Sequence, residues 1–110
     1  MTVAETILTQ LGGRRFVVMT GSKKFMDMEN GLRMDLSRNK SAANFLKIML
    51  NGSDTYDMFF MNYKPIKVSN KSGVVKVTPD KLTKIAEFNG VYYDQLQEIF
   101  TQVTGLYTRL

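Results

Sequence analysis

Neither cysteine nor histidine occurs among the 110 residues. Without cysteine no disulfide can form, so core packing alone must hold the fold. The same two absences remove a thiolate nucleophile, a Cys/His zinc site and an imidazole general base. These absences do not exclude every enzyme, because carboxylate chemistry remains possible. No apolar run approaches the roughly 18 residues that a membrane helix requires. The opening Met1-Thr2-Val3-Ala4-Glu5 has no basic cluster leading into an apolar stretch, so no secretory signal is expected. These absences point to a cytoplasmic protein that needs no cofactor, metal or membrane.

The content that is present suits one domain spanning residues 1–110. Apolar residues make up 44% and charged residues 23%, which is ordinary for a chain with a single core. The net charge of +5 is mild, and its distribution says more than its size. Lys64, Lys67, Lys71, Lys76, Lys81 and Lys84 crowd one stretch opposed only by Asp80. The segment from Ile85 onward is acidic, through Glu87, Asp94 and Glu98 against Arg109. The molecule is therefore expected to be electrically polarised.

Along the chain, Thr2 and Glu5 form a capping box for a helix over 3–11, with Val3, Ile7, Leu8 and Leu11 as its apolar stripe and Gly12-Gly13 as its stop. Arg15 to Thr20 is rich in β-formers. Its consecutive Phe16-Val17-Val18-Met19 reads as a strand buried on both faces. A hairpin is expected around Glu29-Asn30-Gly31. A three-residue loop with Gly31 in a bulge would pair Met28 with Leu32, Met26 with Met34, and Asp27 with Arg33. After a polar connection from Ser37 to Asn44, the turn Asn51-Gly52-Ser53-Asp54 separates strands over 45–50 and 55–62. In that second hairpin Leu46, Ile48 and Leu50 face Phe60, Met58 and Tyr56. The opposite face still carries Phe45, Met49, Phe59 and Met61. A sheet solvated on one side should alternate more cleanly, so a helix, a long loop or another copy is expected to cover part of that face.

Residues 62–72 read as a loop and 73–78 as a short strand. Thr78-Pro79-Asp80 resembles a helix start, which slightly favours a helix to about Glu87. The other reading makes residues 83–88 a strand entering an Asn89-Gly90 turn. A last helix is expected over 91–104, with Tyr92, Leu96, Ile99, Phe100 and Val103 as its stripe and Gly105 as its stop. Leu106 to Leu110 is apolar enough to dock back onto the body. The fold class is α+β: an antiparallel sheet of four to six strands built from hairpins, with an N-terminal and a C-terminal helix packed on it.

Two stretches carry a resemblance. One runs from Leu11-Gly12-Gly13-Arg14-Arg15-Phe16 to Thr20-Gly21-Ser22-Lys23-Lys24-Phe25. The other runs from Gly90-Val91-Tyr92-Tyr93-Asp94-Gln95-Leu96 through Thr104-Gly105-Leu106-Tyr107-Thr108. With the Asn51–Asp54 hairpin they resemble a family of small proteins encoded by phages and other mobile elements, which has no assigned activity. The segment 69–84 matches least and looks like an insertion. The resemblance implies a phage or prophage setting and supplies no catalytic residue.

Two groups of residues are candidate sites. Arg14, Arg15, Lys23 and Lys24 flank glycines that could cradle phosphate, although neither stretch has phosphate-loop spacing. With Lys64, Lys67, Lys71 and Lys76 they are the cations a nucleic-acid backbone would meet. Phe45, Met49, Phe59 and Met61 are the interface candidates, because their face should otherwise be polar. Met19, Met26, Met34 and Met58 occupy plausible core positions. No acidic spacing resembles a calcium or magnesium loop. The leading expectation is a non-catalytic phage or mobile-element accessory protein that binds a host or phage macromolecule. A nucleic-acid-binding module using the 64–84 lysines is the alternative, and a carboxylate-dependent enzyme is a distant third. Self-association into a homodimer through the apolar face is a separate expectation.

Overall fold

Thr2 Oγ1 accepts the Glu5 amide at 3.1 Å and so starts helix α1 (Val3–Leu11), where the capping signal predicts it. The computed structural model describes residues 2–108. Ile7 and Leu11 of α1 are fully buried. Gly12 and Gly13, both at positive φ, turn the chain out of α1.

The next segment overturns the expectation of a strand over 15–20. It is a second short helix, α2 (Arg14–Thr20), closed by left-handed Gly21. Phe16 and Thr20, four residues apart, are its buried positions, while Val18 is 73% exposed. Phe16 meets Phe100 edge-on with ring centroids 4.9 Å apart, and Thr20 Oγ1 donates to the Phe16 carbonyl at 2.7 Å. Tertiary packing of one aromatic ring, flanked by glycine stops, outweighs the β-propensity of the two valines.

Seven strands follow: β1 (Lys23–Met28), β2 (Gly31–Asp35), β3 (Phe45–Leu50), β4 (Tyr56–Lys64), β5 (Lys67–Lys71), β6 (Val74–Thr78) and β7 (Lys81–Val91). Five form one antiparallel sheet in the order β1-β2-β3-β4-β7. The remaining two, β5 and β6, form a separate ribbon. After β7 a 3-10 turn (Tyr93–Gln95) leads into helix α3 (Leu96–Thr104), which ends at left-handed Gly105. The last helix is thus shorter than expected: Val91 still belongs to the sheet, and Tyr92 is exposed. Of the C-terminal stretch, Leu106 is half-buried and Thr108 buried, while Arg109 and Leu110 lie outside the described residues.

The β3–β4 hairpin has the expected register, with Leu46 opposite Phe60, Ile48 opposite Met58 and Leu50 opposite Tyr56. Asn51 builds its turn by accepting from the Ser53 amide at 2.8 Å and from the Thr55 hydroxyl at 3.0 Å. The first hairpin differs from expectation. Its turn is Glu29-Asn30, and the pairs are Met28 with Gly31, Asp27 with Leu32 and Met26 with Arg33. Gly31 is drawn out of the turn because β2 pairs it with Met49 of β3, where an added Cβ would strike the Ile48 carbonyl oxygen and the Met49 sulfur. The shift leaves Met26 exposed at 53%, not in the core, whereas Met34 and Met58 are fully buried.

Residues 81–88 are strand, which bears out the alternative reading for 83–88, and the helix that Thr78-Pro79-Asp80 suggests does not form. A helix there would strip β4 of its outer partner and leave nine residues of edge backbone unpaired. Pro79 lies between β6 and β7, where its missing N–H costs no ladder bond. Asn89-Gly90 is likewise no turn. Two residues oppose Asp57 there, a bulge in which Gly90 is left-handed and its amide donates to Asp57 Oδ1 at 3.1 Å. The expected loop over 62–72 is also mostly strand, since β4 continues to Lys64 and β5 begins at Lys67.

All three helices contribute to one core. Ile7, Leu11, Phe16, Leu96 and Phe100 pack with Met34, Leu46, Ile48, Met58 and Phe60 of the sheet. The helices therefore occupy one face of the sheet. No helix among the described residues is long and apolar enough to cross a membrane.

Candidate binding face

Because side chains alternate along a strand, the residues between those core positions emerge on the other face. Strand pairing aligns them in rows across the sheet. Met26, Arg33, Lys47, Phe59 and Glu87 form one row, and Asp35, Phe45, Met61 and Lys84 form the next. Tyr63 and Leu82 form a third, closest to the β5–β6 ribbon.

These rows enclose a groove of about 550 Å³ lined entirely by strand residues. Phe45, Phe59 and Met61, three of the four expected interface residues, come together in it. Met49 shares the face but lies outside the groove, against Gly31. The helix or loop expected to cover this face is absent among the described residues. Cations from neighbouring strands take its place in part. The Arg33 guanidinium sits 4.2 Å from the Phe45 ring centroid, and Phe45 is only 8% exposed. Lys47 Nζ lies 5.6 Å from the Phe59 centroid. Such contacts are worth roughly 0.5–1 kcal/mol where water still reaches them.

The charges of the groove are unequal. Lys84 Nζ meets Glu87 Oε1 at 2.7 Å, the one ion pair among the described residues. Lys84 first, and Asn89 second, hold the Glu87 carboxyl below its ordinary value by hydrogen bonding to the carboxylate. The pair therefore stabilises above the ordinary carboxylate range and is lost as pH falls through that lowered value. Arg33 and Lys47 engage rings and no carboxylate, so the groove keeps an excess of positive charge. Two other acids share the face. Asp35 is paired across strands with Lys23, and Asp57 is engaged by Asn51 Nδ2 at 3.2 Å and the Gly90 amide.

Asn44 fixes the mouth of the groove. Its Oδ1 accepts the Tyr63 amide at 2.9 Å, and its Nδ2 donates to the Tyr63 carbonyl at 2.8 Å. Tyr63 is 40% exposed, and its hydroxyl donates to Asp80 Oδ2 at 3.4 Å. Immediately beyond it Lys64 pairs with Lys81, and the ribbon follows. Ser72 and Gly73, both at positive φ, close the ribbon as a two-residue hairpin. Its register puts Lys67, Lys71 and Lys76 on one face and Val68, Val75 and Val77 on the other, all exposed.

The cations nominated from the sequence thus divide into two places. Lys64, Lys67, Lys71 and Lys76 belong to the ribbon and its root. Arg14 and Arg15 begin α2, and Lys23 and Lys24 begin β1, at the opposite edge of the sheet. With strands ~4.8 Å apart, the two edges are roughly 19 Å from one another. The glycine amides near Arg14 and Lys23 are already committed: Gly12 to Thr9, Gly13 to Leu8 and Gly21 to Val17. Ser22 is buried and bonded to Thr20 Oγ1 at 2.8 Å. No group of three acidic residues able to hold a metal occurs among the described residues. Asp27 and Asp35 face Leu32 and Lys23, not each other.

Fold and face together define a small α+β domain with a sheet clad by helices on one side and bare on the other. Comparison with protein-family models, curated proteins and solved structures gives no match for this chain.

Proposed function

We propose that this is a non-catalytic binding protein, an accessory factor of a phage or mobile element, and that it holds a macromolecule on the bare face of its sheet. One observation supports the reading above the others. Phe59, Met61, Tyr63 and Leu82 line an open groove on the side of the sheet away from every helix. A bare sheet face normally carries polar residues, and an apolar one marks a contact surface.

The test compares the wild type with a Phe59→Asp/Met61→Asp variant, both immobilised and exposed to host lysate. Far-ultraviolet circular dichroism and thermal melting establish that the variant is folded. Whatever the wild type retains, identified by separate protease and nuclease digestion, should be lost from the variant. Equal retention by the two proteins would show that the working surface lies elsewhere.

A further inference from the structure

We propose that the groove and the ribbon form one continuous site for single-stranded nucleic acid, with unpaired bases in the groove and the phosphate backbone along the ribbon. This rests on the bare face being the working surface. The first support is charge. Arg33 and Lys47 bring positive charge to a groove whose one lining acid, Glu87, is already matched by Lys84. The path from the groove leads past Tyr63 and Leu82, along β4 and β7, into the ribbon, one face of which carries Lys67, Lys71 and Lys76, while Lys64 and Lys81 alternate to the other side of the sheet. At ~3.3 Å per residue, the five-residue strands of the ribbon extend that path by roughly 16 Å.

The second support is the chemistry of the floor. Phe59 and Tyr63 offer ring surfaces, and Met61 and Leu82 supply apolar walls. Stacking on aromatic side chains is how proteins hold unpaired bases without reading their sequence, and clustered cations track the phosphates. A duplex presents no free base faces to such a groove, because its bases stack on one another. A second copy of this chain is a poorer occupant. Face-to-face docking would bring together two surfaces that each carry an excess of positive charge from Arg33, Lys47 and the lysine ribbon, and like charges across an interface are unfavourable.

The experiment is fluorescence anisotropy with a labelled mixed-sequence single strand of DNA or RNA, its duplex, and a salt series. A single strand should bind at least tenfold more tightly than the duplex. Phe59→Ala/Tyr63→Ala should weaken single-strand binding about tenfold or more, while Phe59→Tyr should retain it. Lys67→Gln/Lys71→Gln/Lys76→Gln should weaken binding and flatten the salt slope by about 2, at ~0.7 per phosphate contact. Equal affinity for duplex and single strand overturns the proposal, as does no binding to either. If neither oligonucleotide binds but Phe59→Asp/Met61→Asp still abolishes lysate retention, the bare face stands as the working surface and only its nucleic-acid occupant is refuted. A dimer in sedimentation that Phe59→Asp dissociates would assign the face to a second copy and overturn the proposal likewise.

Discussion

At Gly31 a missing Cβ lets two strands meet. The residue is buried in β2, and the Ile48 carbonyl oxygen and Met49 sulfur occupy the space a side chain would need. Gly31→Ala should therefore overpack the β2–β3 contact and lower stability by about 2 kcal/mol. Gly52 has no heavy atom within 4 Å of its would-be Cβ. Gly52→Ala should stay within about 0.5 kcal/mol, and urea midpoints of the two variants test the contrast. Tyr56 offers a second test of environment. It is 6% exposed, and burial pushes its phenol above the ordinary value while the neighbouring Gln10 side chain pulls it partly back. A group whose value is raised in the fold stabilises below its unfolded value, and that stabilisation is lost as pH rises through the folded one. Urea midpoints of the wild type should thus drop between about pH 8 and pH 11, straddling the usual tyrosine value of ~10, by more than those of Tyr56→Phe. An equal drop in both proteins would remove Tyr56 as a cause.

Among the elements, the β5–β6 ribbon differs most from the rest. Every one of its residues is exposed, and its valine face rests on nothing among the described residues. An isolated two-stranded ribbon is only marginally stable in water. Its amides should exchange with solvent far faster than those of β3 and β4, where Leu46, Ile48, Met58 and Phe60 are fully buried. Joining Lys64 to Lys81 through a short turn should leave the unfolding midpoint nearly unchanged, within about 0.5 kcal/mol. A large loss would mean that the ribbon supports the body. The elements also show which parts of the fold were legible in the sequence. Helix α1 and the β3–β4 hairpin could be read because their signals are local, in the Thr2 cap and the Asn51 turn. Strand β7 could not, because Thr78-Pro79-Asp80 is a genuine local helix signal and the pairing with β4 that overrides it is non-local. For α2, four successive apolar residues fit either period, and packing of Phe16 on Phe100 decides between them. The candidate face divides in the same way. Phe45, Phe59 and Met61 stood out because they broke the alternation of one hairpin. Arg33 and Lys84 did not, since their places in the rows depend on the non-local β2–β3 pairing and on β7 being a strand.

For the molecule as a whole, the sequence's charge asymmetry becomes a spatial one. The lysine ribbon extends from the β4–β7 edge of the sheet, while Asp94 and Glu98 line a separate depression beside Gln10, Gln97 and Tyr107. This geometry also bears on self-association. An apolar face favours a second copy, since burying Phe59, Met61 and Leu82 would remove apolar surface from water. The cations of that same face and ribbon oppose it. At moderate ionic strength the Debye length is about 8 Å, long enough for like charges across a docked pair to be felt. The chain should therefore sediment as a monomer near 0.15 M salt. Any tendency to pair should strengthen as salt rises, because screening weakens the repulsion while apolar burial persists. Polyanion binding should change with salt in the opposite direction. Sedimentation across a salt series, repeated with Phe59→Asp, separates the two. A dimer that is tightest at low salt would mean that oppositely charged surfaces, such as the ribbon and the Asp94–Glu98 depression, meet instead of two bare faces.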